Sequence, residues 1–97
     1  SVKNISSGGP SSFDIKQNYP NPFNPGTQID YTLRLPQSFS LKVYDANGSL
    51  VKILDQGYKE AGEYTAFFDG SKYASGVYYA NLESGTYRRT IKMLLLK

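Results

Sequence analysis

The chain has no cysteine, no histidine and no tryptophan among its 97 residues. Without cysteine, no disulfide can hold a small core together, and no thiolate can serve as nucleophile or metal ligand. Without histidine, the commonest general base near neutral pH is gone. Only a carboxylate pair could carry catalysis, with Asp30, Asp45, Asp55, Asp69, Glu60, Glu63 and Glu83 as candidates. Most of these sit at strand ends or on the polar side of an alternating strand, where a solvated surface explains them, so no enzyme and no cofactor are expected. No apolar run reaches membrane length, so no membrane insertion is expected. The formal charge of +3 is too small and scattered for a nucleic-acid partner; only Arg88, Arg89, Lys92 and Lys97 gather, near the end.

What is present is aromatic and periodic. Nine tyrosines and five phenylalanines carry much of the apolar bulk. In "QIDYTLRLP", Ile29, Tyr31, Leu33 and Leu35 alternate with polar residues until Pro36 stops the run, which predicts a half-buried strand. In "SFSLKVYD", Phe39, Leu41 and Val43 share a face. "DANGS" (45–49) then supplies an Asn-Gly hairpin turn into "LVKILDQ" (50–56). "QGYKEAGEY" reads as a connection. "EYTAFFDG" (63–70) places Tyr64, Ala66 and Phe68 together, "GVYYANLE" (76–83) follows, and "YRRTIKMLLLK" alternates Tyr87, Arg89, Ile91, Met93 and Leu95 against the rest. With a further short strand at "SFDIKQ" (12–17), the pattern predicts an all-β antiparallel sandwich of about seven strands, immunoglobulin-like, with a small open barrel as the second choice.

In front of this, residues 1–12 are rich in serine and glycine and read as a flexible linker, with the folded domain spanning 13–97. The start at Ser1, without methionine or signal peptide, leads us to expect a fragment of a longer protein whose partner domain lies N-terminal.

Three further features invite ligand readings. Asp45-Ala46-Asn47-Gly48 looks like the opening of a calcium loop, and Asp69-Gly70-Ser71 adds oxygens, but the closing bidentate glutamate is missing and both serve as ordinary turns. No metal site is therefore expected. Tyr44, Tyr58, Tyr73, Tyr78 and Tyr87 could form a stacking platform for sugars, although tyrosine also favours strands for packing reasons alone. Asn-x-Ser sequons stand at Asn4 and Asn47 and carry little without a known host.

The least ordinary stretch is "QNYPNPFNP" (17–25). Prolines 20, 22 and 25 each remove an amide donor and push the preceding residue to extended geometry. As a polyproline helix it would put Tyr19 and Phe23 out of register. A compact cap that opens the sandwich, built from Tyr19, Pro20, Asn21, Pro22, Phe23, Asn24 and Pro25, fits better. Tyr19 and Phe23 are expected to dip into the core, and the prolines to blunt an edge strand.

"QNYPNPFNPGTQIDYTL" resembles the opening of the type A C-terminal sorting domain of the bacterial type IX (Por) secretion system. "LKVYDANGSLVKIL", "AGEYTAFFDG", "SGVYYANLESG" and "TIKMLLLK" resemble its later segments in order, covering roughly residue 13 to the end. Phe68 stands where tryptophan is common, and Leu95 and Leu96 where valine often occurs. The resemblance implies an immunoglobulin-like sandwich, similar also to a domain of the flagellar hook-capping protein. It implies a parent protein, often a hydrolase or adhesin, that passes through the periplasm and is secreted or held at the outer-membrane surface. Its partners would be the secretion machinery, an N-terminal cargo domain and, in many members, a surface sortase that cleaves the domain off and attaches an anionic lipopolysaccharide. Carried over by position, the sorting signal would be Gly76, Val77 and Tyr78 with Lys92, Met93, Leu94, Leu95, Leu96 and Lys97. Read without the resemblance, Met93 and Leu95 fill the core and the lysines stay in solvent. The alternatives to a sorting domain are an accessory carbohydrate- or envelope-binding module, or a structural spacer, in a secreted hydrolase.

Overall fold

A computed structural model describes residues 9–97, with side chains from Ser11 onward. Seven strands follow a single 3-10 turn at Gly9–Ser12: β1 (Phe13–Ile15), β2 (Gly26–Leu33), β3 (Gln37–Asp45), β4 (Leu50–Lys59), β5 (Gly62–Asp69), β6 (Gly76–Ser84) and β7 (Tyr87–Leu95). They form two antiparallel sheets, ordered β1-β2-β5 and β4-β3-β6-β7, an immunoglobulin-like sandwich. The expected linker lies mostly on residues 1–8, outside the described residues. Ser12, at its end, is buried and exchanges hydrogen bonds with Gln37: its hydroxyl donates to Oε1 (3.2 Å), and its carbonyl accepts from Nε2 (2.9 Å).

Alternation decides which side chains meet between the sheets, because a pleated strand turns successive residues to opposite faces. Ile29, Tyr31 and Leu33 of β2 face Leu41 and Val43 of β3, Ala80 and Leu82 of β6, and Met93 and Leu95 of β7, all essentially shielded from solvent. The Asn-Gly hairpin is present. Asp45 Oδ1 accepts from the amides of Asn47 (2.9 Å) and Ser49 (3.0 Å), which ties its carboxylate into the turn.

Two expected boundaries move. β2 ends at Leu33, so Leu35 lies beyond the sheet and is exposed; Pro36 ends the ladder earlier than the alternation suggests. The stretch expected to connect β4 to β5 is mostly strand: β4 runs on through Gln56, Gly57 and Tyr58 to Lys59, each paired with β3, leaving Glu60 and Ala61 as the connection. Glycine did not end this edge strand, because its partner strand supplies the ladder on one side.

Tyr31 links the two sheets toward the far end of β2. Its hydroxyl donates to Asp55 Oδ2 of β4 (2.6 Å), which also accepts from Lys59 Nζ (2.7 Å). The Lys59 ammonium sits 4.5 Å above the Tyr64 ring, and Tyr64 stacks on Tyr31 at 5.6 Å. Burial, then the hydrogen bond to Asp55, hold the Tyr31 phenol far above its ordinary value. Burial by itself raises the Asp55 carboxyl, but its hydrogen bonds from Lys59 and Tyr31 outweigh this and hold it below its ordinary value.

Candidate functional site: the capped end of the C-terminal strand

β7 is an edge strand, so one side of it would present unpaired backbone groups. Over its last turn of ladder that side is covered by the proline-rich segment. The Phe23 amide donates to the Leu94 carbonyl (2.9 Å), and the Leu96 amide donates to the Phe23 carbonyl (3.0 Å), a parallel bridge between Phe23 and Leu95. Where prolines leave the segment without donors, side chains substitute. Asn21 Oδ1 accepts from the Leu94 amide (3.0 Å), and Gln17 Nε2 donates to the Lys92 carbonyl (2.7 Å). Residues 17–25 thus act as a strap along the edge of β7. The three X–Pro bonds within it are cis.

The strap is itself held from below. Tyr19 exchanges both backbone hydrogen bonds with Gln28 of β2, each 2.9 Å. Asn18, buried, donates to the Thr27 hydroxyl (3.0 Å) and the Pro20 carbonyl (3.1 Å), and the Thr27 hydroxyl donates to that same carbonyl (2.8 Å). The Pro25 carbonyl accepts from the Gly70 amide (2.8 Å). Phe23 closes the end of the core at 1% exposure, edge-on to Phe68 (5.9 Å), and Phe68 in turn stacks on Tyr73 (5.7 Å). Gly70 is required by closeness: a Cβ there would stand 2.9 Å from Leu95 Cδ2 and 3.1 Å from the Pro25 carbonyl oxygen.

Tyr19 departs from the expectation that it dips into the core. It is 76% exposed. Pairing with Gln28 fixes its backbone, and pleat alternation then sends its ring outward, opposite to buried Thr27 and Asn18. It rims a shallow groove with Pro20, Gln28 and Phe67, the last 71% exposed.

The residues carried over as a signal converge on this end. Gly76 pairs with Leu95, Val77 with Leu94, and Tyr78 with Met93. Gly76 holds φ +150, a conformation that disfavours any side chain. Tyr78, Met93 and Leu95 point into the core, and the Tyr78 hydroxyl donates to the Ala74 carbonyl (2.6 Å). Val77 and Leu94 are half-buried and Lys92 exposed, all on the opposite face. Leu96, past the strand, is 50% exposed. Lys97 is anchored twice, its amide donating to Ser75 Oγ (3.0 Å) and its ammonium to the Ser71 carbonyl (2.7 Å). Gln17, Asn18, Thr27, Gly70, Ser71 and Ser75 complete the arrangement, and of these Thr27 and Ser75 carry no signal of their own in the sequence. Gln17 and Asn18 open the proline-rich stretch, and Asp69-Gly70-Ser71 reads as a turn, but neither signal points to β7.

The tyrosines do not make one platform. Tyr73 and Tyr78 belong to the core cluster, while Tyr44, Tyr58 and Tyr87 fall on different parts of the surface. The Asp69 carboxylate is drawn below its ordinary value by the Ser71 amide, which donates to Oδ1 (3.0 Å), as a turn requires. Among the described residues, no group of three or more acidic side chains gathers.

Among curated proteins no sequence matches the chain. A family model described as the secretion system C-terminal sorting domain matches residues 17–97. That span opens on the first residue of the strap and takes in every strand from β2 to β7. The chain belongs to the family of type IX secretion system C-terminal sorting domains.

Proposed function

We propose that this sandwich is a non-catalytic address label for a larger exported protein, with its signal at the strapped end of the C-terminal strand. The observation that carries this is the meeting of three segments distant in sequence: the start of β6, the end of β7 and the strap. The export machinery would recognise this end and carry the cargo, joined ahead of Gly9, from the periplasm across the outer membrane. In proteins that are processed, cleavage would fall before Phe13, and a surface anchor would replace the domain. Buried Tyr78, Met93 and Leu95 shape the strand, while exposed Lys92, Leu96 and Lys97 are available to be read. The absence of histidine and cysteine and the engagement of Asp45, Asp55 and Asp69 in turns or ion pairs support a label without chemistry of its own.

The test is deletion of Leu96 and Lys97, which lie beyond the last strand residue. A carrier fused to the shortened domain should accumulate in the periplasm of a host with the type IX machinery. Unchanged export would overturn the reading.

A second reading, glycan binding, is favoured by one feature: the exposed Tyr19 and Phe67 rings on a common groove with Gln28. Glycan-array binding that disappears in Phe67→Ala would support it.

A further inference from the structure

Strand register lets the outer face of the four-stranded sheet be read row by row. Leu50, Tyr44, Tyr79 and Lys92 are successive cross-strand partners and form one row. Val77 and Leu94 form the neighbouring row, toward the strapped end. On the other side, Lys42 lies between Ile53 and Asn81. A solvated sheet face ordinarily alternates to polar residues. Toward the strapped end this one instead gathers aliphatic and aromatic side chains beside lysines, while Asn81, Thr90, Glu83 and Arg88 keep its other end polar.

The lysines lack counter-charges. Among the described residues neither Lys42 nor Lys92 enters an ion pair. The nearby carboxylates are engaged elsewhere: Asp45 in its own turn, and Glu83 with Arg88 (3.5 Å) and Asn81 (3.1 Å). An apolar patch with free cations at its edge is complementary to an apolar patch rimmed by anions.

We propose that this face, centred on Tyr79, Lys92 and Leu94, is where the domain is grasped, and that its partner is a protein presenting apolar side chains bordered by carboxylates. The inference rests on the sorting reading and narrows it. Of the residues carried over as a signal, Tyr78, Met93 and Leu95 cannot be touched without opening the core, whereas Val77, Lys92 and Leu94 stand side by side on the surface. The aliphatic members argue for protein rather than an anionic glycan. Leu50, Val77 and Leu94 offer nothing for a sugar ring to stack on, but they bury well against other apolar side chains.

The experiment measures export of a carrier fused to the full chain in a host with the type IX machinery, alongside the melting temperature of each variant. Tyr79→Thr, Leu94→Thr and Lys92→Glu should each slow export roughly tenfold while the domain stays folded. Glu63→Thr, on the outer face of the other sheet, should leave it unchanged. Normal export by all three variants, with export blocked by deletion of Leu96 and Lys97, would overturn the face and leave the sorting reading standing. Normal export by the deletion as well would overturn both. A loss confined to Lys92→Glu would mean that charge alone is read, as by an anionic glycan, and would also overturn the proposal. Should a threonine variant unfold, Val77→Thr in the neighbouring row takes its place, beside Lys42→Glu with Lys92→Glu for the charge; undiminished export by either would refute an apolar partner rimmed by carboxylates.

Discussion

Phe23 and Tyr19 share the strap, yet one is sealed under it and the other stands in solvent. Phe23→Ala should therefore cost about 3–5 kcal/mol by the cavity it leaves against Phe68 and Leu95, whereas Tyr19→Ala should stay within about 0.5 kcal/mol. Urea unfolding of the two variants measures the difference. The Tyr31–Asp55–Lys59 cluster contributes to the pH response at both ends of the scale. The Asp55 carboxyl is held below its ordinary value of 3.8, so the folded state binds fewer protons than the unfolded chain. Its contribution is complete above that value and is lost as pH falls below it. The Tyr31 phenol is held above its ordinary 10.0, so its contribution is complete below that pH and fades as pH rises past it. In unfolding measured across pH, Asp55→Asn should flatten the acid limb and Tyr31→Phe the alkaline one.

The strap and β7 behave as one element although some seventy positions separate their sequences. The amides of Leu94 and Leu96, which an uncovered edge would leave open, are bonded to Asn21 and Phe23. They should exchange slowly in the native protein, and Asn21→Ala should release Leu94 in particular, as read by amide hydrogen exchange. Gly70→Ala should loosen both partners at once, because the new methyl would collide with Leu95 and the Pro25 carbonyl. A loss of about 1–3 kcal/mol is expected. This scale also marks how far the sequence can be read. The inward faces of β2, β3 and β5 follow from alternation and appear as expected up to Leu33, since period two is a local property, whereas β6 buries Ala80, Asn81 and Leu82 in succession. The blunting of an edge by the prolines follows from their missing amides. Which edge they blunt does not, because no periodicity joins Asn21 to Leu94. Tyr19 looks like an anchor because it is an aromatic at the head of a proline run, while its face depends on a bridge to Gln28. Gly57 likewise looks like a break in β4, whereas pairing with Phe39 carries the strand past it.

In the whole molecule, the last residues both close the fold and carry the proposed signal. Leu96 and Lys97 contribute three hydrogen bonds, to Phe23, Ser75 and Ser71. Their deletion should cost about 1–3 kcal/mol, since exposed bonds contribute modestly, and lower the melting temperature by roughly 4–8 °C for each kcal/mol. Differential scanning calorimetry would show whether the shortened domain remains folded, and so whether lost export reflects a lost signal or a lost fold. The parallel sense of the Phe23–Leu95 bridge has a mechanical side as well. A tension drawn between the region ahead of β1 and the C-terminal end would pull two parallel segments in opposite directions. The bonds between them would then be sheared together instead of being peeled one at a time. Carried past the three-residue β1, such a load would meet its main resistance at the strap, where four bonds would have to yield almost at once. A label joined in this way could be towed by its tail without unravelling ahead of what it carries.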